Sequence, residues 1–145
     1  MKNNNSGFTL IEVLVVLTIL SVFLLSAIAI AIVSVRNLKN SENKILATRY
    51  AEGLTEWLRG EKDADWDTFI TQTGTWCFSE EPIITWPSTP GGCLPNEKIN
   101  SIFERKAVIS YDSALERTLL DVTVSWDEGN ETVSVPISTV LEKYK

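Results

Sequence analysis

Residues Gly7 to Val16 read GFTLIEVLVV, and this stretch decides how the rest of the chain is interpreted. It opens an apolar run that continues to Val35 and contains one charged residue, Glu12. A helix from Phe8 to Val35 would be about 40 Å long, enough to cross a bilayer core of about 30 Å. An acidic side chain in hydrocarbon costs at least about 2.5 kcal/mol, so we expect Glu12 to have a functional partner.

The stretch resembles the processing and methylation motif of type IV pilins and type II secretion pseudopilins. The resemblance implies that residues 1–7 are a leader and that a prepilin peptidase cuts between Gly7 and Phe8. Phe8 would then be the N-methylated mature N-terminus. Glu12, fifth in the mature chain, would pair with an N-terminal amine during assembly with other pilin subunits on an inner-membrane assembly platform.

The physical chemistry of the N-terminus agrees with this resemblance. Cleavage after Gly7 would create a cationic amine at the edge of the apolar segment, and a buried carboxylate needs such a counter-charge. Whether the amine belongs to the same subunit or to a neighbour stays open. The simpler alternative is an ordinary signal anchor with Glu12 near the lipid headgroups.

Composition limits the classes of function. The 145 residues leave room for one modest domain beyond the helix. The net charge is −6, and −7 once Lys2 leaves with the leader, so nucleic acid is not an expected partner. There is no histidine, which removes Ser-His-Asp catalysis and histidine-ligated metal sites. We therefore expect neither an enzyme nor a cofactor or metal site.

The charges that flank the apolar run conflict with the expected topology. Lys2 precedes it, whereas Arg36, Lys39 and Lys44 follow it, so a positive-inside count favours a cytoplasmic head. The family resemblance and the pair of cysteines favour the reverse. We expect a single pass through the inner membrane, an extracytoplasmic head, and later a place in a pilus or at the cell surface.

Beyond the apolar half, residues 8–35, we expect the helix to continue as an amphipathic half, residues 36–60, with Gly60 as its C-terminal cap. One apolar stripe would pack on the head, residues 61–145, and its members are Leu38, Ile45, Leu54, Trp57 and Leu58. Major pilins often carry a helix-breaking proline and a glycine in the first half. Ala29 stands at the position of the proline and Ser21 at that of the glycine, which puts local helix melting in doubt and favours a minor subunit.

Three acidic residues follow the helix at alternate positions: Asp63, Asp65 and Asp67. This is the spacing of the first ligands of a calcium loop. Thr68 stands where an EF-hand needs glycine and Gly74 where it needs the closing glutamate, so a solvated turn or helix cap is the better interpretation. Trp66 and Phe69 would anchor the segment to the core.

Residues 76–98 are rich in proline and glycine and predict a loop. Its cysteines, Cys77 and Cys93, predict a disulfide in an oxidising compartment, with buried free thiols as the alternative. Residues 83–86, IITW, are open to two interpretations: a short packed strand or an exposed contact for a partner.

The C-terminal part predicts three antiparallel strands, residues 105–112, 118–127 and 131–141, with a hairpin at residues 128–130. Leu120, Val122, Val124 and Trp126 alternate with polar residues, which is typical of a half-buried strand. Pro136 places the last strand at an edge or a bulge. The fold class expected is α+β, a pilin fold in which the C-terminal half of one long helix packs on a small antiparallel sheet.

The ending VTVSWD…VSVPISTVL also resembles minor pilins of the pilus-modification type and the equivalent pseudopilins. The function expected from the two resemblances is a minor type IV pilin-like structural subunit in a pilus or at its tip. The alternatives are a minor pseudopilin of a type II secretion system and a membrane-anchored adhesion module.

Overall fold

The computed structural model describes residues 9–143 of the chain. Their helices and strands are α1 (Leu10–Ala64), α2 (Trp66–Phe69), β1 (Gly74–Cys77), β2 (Glu104–Asp112), β3 (Arg117–Glu128) and β4 (Glu131–Glu142). The strands form one antiparallel sheet in the order β1-β2-β3-β4. The C-terminal half of α1 packs on this sheet, so the α+β pilin fold is confirmed. The chain divides into two compact units, residues 1–41 and residues 42–145.

The described part of the first unit is the N-terminal half of α1. Its large apolar side chains are all exposed, including the first, Leu10, which is 79% exposed, and the last, Leu38, which is 70% exposed. Four hydroxyl groups donate to carbonyl oxygens of the preceding turn, at distances of 2.8–2.9 Å, and they belong to Thr18, Ser21, Ser26 and Ser34. Because these donors are satisfied inside the helix, they do not prevent it from entering an apolar environment.

The second half of α1 buries one stripe, but its members differ from the expectation. The buried positions are Asn43, Ala47, Ala51, Leu54, Thr55, Leu58 and Lys62. Leu54 and Leu58 were predicted correctly, and Trp57 is half-buried against the core. Leu38 and Ile45 were predicted wrongly, since they are 70% and 57% exposed. Ile45 lies nine residues before Leu54, which at 3.6 residues per turn is about half a turn away, on the opposite face.

The prediction that α1 ends at Gly60 was also wrong, because the helix continues to Ala64. A glycine ends a helix by adopting a positive φ angle, and Gly60 does not adopt one. Lys62, four residues after Leu58, extends the buried stripe and donates to the Glu142 carbonyl oxygen at 3.4 Å. The helix stops before Asp65, whose backbone is extended and whose side chain caps α2.

The three predicted strands are confirmed, each within one residue at either end. Leu120, Val122, Val124 and Trp126 of β3 are all buried, as their alternation predicted. Pro136 lies in β4, an edge strand, and pairs with Thr123 of β3. Because β4 has no strand on its other side in the described sheet, the missing N–H of Pro136 breaks no hydrogen bond there. The β3–β4 turn is the expected hairpin, and Gly129 supplies its positive φ of 65°.

Two features of the loop region differ from the prediction. Trp76 and Cys77 were assigned to a loop but lie in β1, where they pair with Ala107 and Lys106 of β2. Residues 83–86 do not form a strand. Instead Trp86 enters the core and contacts the rings of Trp57 and Trp76, each with ring centroids 5.3 Å apart. Packing of this segment is thus confirmed for Trp86, whereas Ile84 is 72% exposed.

Candidate functional site

Glu12 is the predicted assembly residue that the structure describes. Gly7 and Phe8, the predicted cleavage and methylation positions, lie outside the described residues. Glu12 lies in the first turn of α1, and its N–H donates to the Thr9 carbonyl oxygen at 3.1 Å. A carboxylate is favourable there because the unpaired N–H groups of a helix N-terminus carry partial positive charge.

The described residues next to Glu12 along the chain are apolar. Leu10 and Ile11 precede it and Val13 follows, all of them exposed. Within residues 9–143 the structure gives Glu12 no ion-pair partner. A carboxylate in apolar surroundings is costly unless it is paired or neutralised.

The helix that carries Glu12 meets the requirements of a membrane span. An 18-residue window has a mean hydropathy of 3.0, and none of that window is buried within the chain. A segment of this length and composition is sufficient to cross a bilayer. The apolar helix and the motif at its start support a membrane-anchored protein.

The predicted disulfide between Cys77 and Cys93 is present, and their Cα atoms lie 5.0 Å apart. It closes the loop that starts at the end of β1. The Gly91 N–H donates to the Thr75 carbonyl oxygen at 2.7 Å, so the returning chain also bonds to β1. A covalent closure over this separation contributes about 3 kcal/mol on the chain-entropy model.

Arg105 is a central residue of the head that sequence reasoning missed. Its side chain is 1% exposed and points to the core from β2. The guanidinium donates to the Phe78 and Glu80 carbonyl oxygens, at 3.2 and 2.6 Å, and pairs with the Glu81 carboxylate at 2.9 Å. It also donates to the Tyr50 carbonyl oxygen of α1 at 3.4 Å. One cation therefore ties α1, β2 and residues 78–81 together.

A signal for Arg105 was present in the sequence. Arg105 lies two residues before Ala107 and four before Ile109, so period-two alternation places it on their inward face. Burial lowers the pKa of the Arg105 guanidinium, and the hydrogen bond and charge of Glu81 oppose that effect. A buried arginine needs nearly all of its donors paired, and the carbonyl groups after β1 meet that need.

The three aspartates in the last turn of α1 and around the start of α2 act in protein contacts. Asp63 pairs with Lys62 at 2.7 Å, and Asp67 pairs with Lys143 at 3.3 Å. Asp65 caps α2 by accepting from the Thr68 N–H and hydroxyl, at 3.1 and 2.6 Å. These two bonds lower the pKa of the Asp65 carboxyl below its ordinary value. The helix-cap interpretation of this segment is confirmed.

Trp66 and Phe69, the two residues expected to anchor this segment, contact the head in different ways. Phe69 is buried in the core. Trp66 is half-buried and contacts the Tyr111 ring edge to face, with centroids 6.2 Å apart. Both residues thus hold α2 against the head.

Comparison with known proteins identifies the N-terminal segment. Residues 2–28 match the family model described as the prokaryotic N-terminal methylation motif. This match covers residues 2–7 of the predicted leader, the predicted cleavage site and Glu12, and it supports the pilin and pseudopilin superfamily and processing by prepilin peptidase. The search of curated proteins found no match. The search of solved structures found none either.

Proposed function

We propose that this chain is a minor type IV pilin-like structural subunit, cut between Gly7 and Phe8 and assembled into a pilus or at its tip. The observation that carries the proposal is the methylation motif at residues 2–28, which begins a helix long enough to cross a membrane. The helix continues without a break to Ala64 and leads into the head. The protein acts as a building block, with no catalytic step of its own.

In this proposal the apolar half of α1 occupies two environments in turn. It first lies in the lipid of the inner membrane and then in the core of a fibre made of similar helices. Its exposed apolar side chains are covered in both places, so the transfer requires no large exposure to water.

Glu12 sets the axial position of the subunit in the fibre. An N-terminal amine that reaches Glu12 neutralises a carboxylate surrounded by Leu10, Ile11 and Val13. Any other register leaves that carboxylate buried without a partner, at a cost of several kcal/mol. The methylated amine of Phe8, on this subunit or a neighbour, is the proposed cation.

The experiment that tests this function is the mass of the N-terminal peptide, measured separately in membranes and in sheared surface fibres. A peptide that starts at methylated Phe8 in the fibre fraction is the expected result. A peptide that retains residues 1–7 in every fraction would contradict the proposal and leave a signal-anchored head.

A matched pair of leader variants sharpens this measurement. Gly7→Asp places a bulky charged group at the proposed cleavage site and should leave the leader attached. Asn4→Asp adds the same charge three residues earlier and should be processed normally. Equal processing of both variants would place the cut elsewhere.

The second candidate is a minor pseudopilin of a type II secretion system, which the same motif favours equally. The peptide measurement separates the two when it is combined with gene deletion. Deletion should abolish surface fibres for the pilin, whereas for the pseudopilin it should abolish secretion of an exported enzyme and leave the fibres intact.

A further inference from the structure

A groove beside the disulfide is the feature of the head that the proposed function leaves unexplained. Two adjoining pockets, of about 220 and 330 Å³, share the lining residues Cys77, Pro87, Ser88 and Glu97. We call the two together the disulfide groove. It is lined entirely by residues 77–97, within the second compact unit.

The walls of the disulfide groove are held in place by contacts outside it. Arg105 binds the carbonyl oxygens of Phe78 and Glu80 on one side. On the other side the Trp86 indole N–H donates to the Glu61 carboxylate of α1 at 2.8 Å. The disulfide itself forms part of the lining. Because these walls are already fixed, a ligand loses little free energy to ordering them.

The charge of the groove has one sign. Two carboxylates, Glu80 and Glu97, line it, and of the described residues no lysine or arginine does. One Glu97 oxygen accepts from the Leu94 N–H at 2.9 Å. Glu80 is exposed, and among residues 9–143 the structure gives its carboxylate no partner. The groove thus presents negative charge that its own walls leave unneutralised.

The remaining lining is apolar or hydroxylated. Ile83, Pro87 and Leu94 provide apolar surface in the same lining as the two carboxylates. A cation at the end of an alkyl stem matches this combination, because the stem packs on apolar surface while its head reaches a carboxylate. A simple inorganic cation would leave the apolar walls unused.

We propose that the disulfide groove binds a lysine or arginine side chain of a partner protein. Arginine fits best, since its planar guanidinium can donate to a carboxylate through two parallel N–H groups. The net charge of −6 on the whole chain reinforces attraction of a basic partner. This proposal does not depend on the role of the chain in a fibre.

The test is a nuclear magnetic resonance titration of the full ¹⁵N-labelled chain in detergent micelles. The probe is a tri-arginine peptide with blocked termini, and tri-citrulline, which has nearly the same shape without the charge, is the matched ligand. We expect tri-arginine to shift the amide signals of Thr85, Ser88 and Gly91, and tri-citrulline to leave them unchanged.

Paired variants assign the binding to the groove. Glu80→Gln combined with Glu97→Gln should weaken binding about tenfold, and the Glu97→Gln change keeps a side-chain oxygen that can accept from the Leu94 N–H. Glu116→Gln combined with Glu131→Gln removes the same charge from two exposed positions, one in the β2–β3 turn and one at the start of β4, and should leave the affinity unchanged. A ¹⁵N spectrum of each double variant that nearly matches that of the unmodified chain would show that both variants are folded.

Three outcomes would overturn the proposal. The first is equal weakening of peptide binding by both double variants, which would mean that binding depends on the overall charge of the chain and not on the groove. The second is equal binding of tri-citrulline, which would make the groove a site for neutral polar ligands. The third is the absence of shifts at groove residues up to millimolar peptide. None of these outcomes affects the peptide-mass test of leader cleavage.

Discussion

The two halves of α1 have the same backbone conformation but expose their leucines to different degrees. Leu24 in the first half is 55% exposed, whereas Leu54 and Leu58 in the second half are fully buried. The second half is stabilised by its own sheet. The first half has no cover among the described residues, and an exposed apolar surface of this extent is typical of a site that contacts membrane or protein. In the proposed function, a single helix therefore serves folding at one end and assembly at the other.

The largest effect that separates the two halves is expected at Glu12. Glu12→Ala and Glu12→Val should still insert into membranes, yet their recovery in sheared fibres should fall by at least about tenfold. The reason is that an incoming amine would lose its carboxylate, and an uncompensated buried charge costs roughly 3–5 kcal/mol.

The control for Glu12 is Glu52→Ala, an exposed position in the second half of α1. It should leave fibre recovery unchanged. Immunoblots of membrane and fibre fractions measure both sets of variants. Normal incorporation of both Glu12 variants would disprove the pairing with an amine.

The next effect concerns stability. Leu58→Ala should lower the free energy of unfolding of the head by about 2–5 kcal/mol, because it leaves a cavity in the core. Leu24→Ala removes the same atoms from an exposed position of the apolar half and should change that free energy by less than about 0.5 kcal/mol. Urea unfolding in micelles, followed by tryptophan fluorescence, measures both. Equal losses would mean that the two halves are stabilised by the same packing.

The smallest effect is a pH dependence confined to the head. The pKa of Asp65 is lowered by its bonds to Thr68, so Asp65 stabilises the folded state above its unfolded pKa of about 3.8. That contribution is lost as the pH falls through the lower, folded value. Asp65→Asn should therefore flatten the decrease in the urea midpoint below pH 4.

Thr68→Val offers a graded comparison for Asp65. It removes the hydroxyl donor but keeps the Thr68 N–H, so it should flatten the same decrease by a smaller amount. An acid dependence of both variants that matches the unmodified chain would contradict the role of the cap.

Trp86 illustrates why a loop residue is difficult to assign from sequence. From sequence, residues 83–86 were compatible with a packed strand and with an exposed contact, and packing was the favoured interpretation. In the structure Trp86 contacts the rings of Trp57, Phe69, Trp76 and Phe78, so it packs in the head and is not an exposed partner contact. Ile84, two residues earlier, is the exposed apolar side chain of this segment. Local pattern cannot decide this, because the rings around Trp86 come from α1, α2 and the segment around β1.

What the sequence alone determined was everything with a strict period or motif. The methylation motif, the apolar run, and the alternation in β3 and β4 each depend on neighbouring residues in the chain, so they were visible without coordinates. The expected pairing of Cys77 with Cys93 needed only a count of the cysteines and a proline-rich loop between them.

Only the tertiary structure decided which face of α1 is buried, where that helix ends, and what Arg105 does. Helical spacing allowed Leu38 and Ile45 to be placed on the stripe, but the sheet selected the face of Ala47, Ala51 and Leu54. In the sequence Arg105 was only the first residue of a predicted strand. The structure shows that its guanidinium donates to the carbonyl oxygens of Phe78 and Glu80. These outcomes depend on which surfaces meet across long separations in the chain, and the free energy of such contacts is not carried by any local pattern.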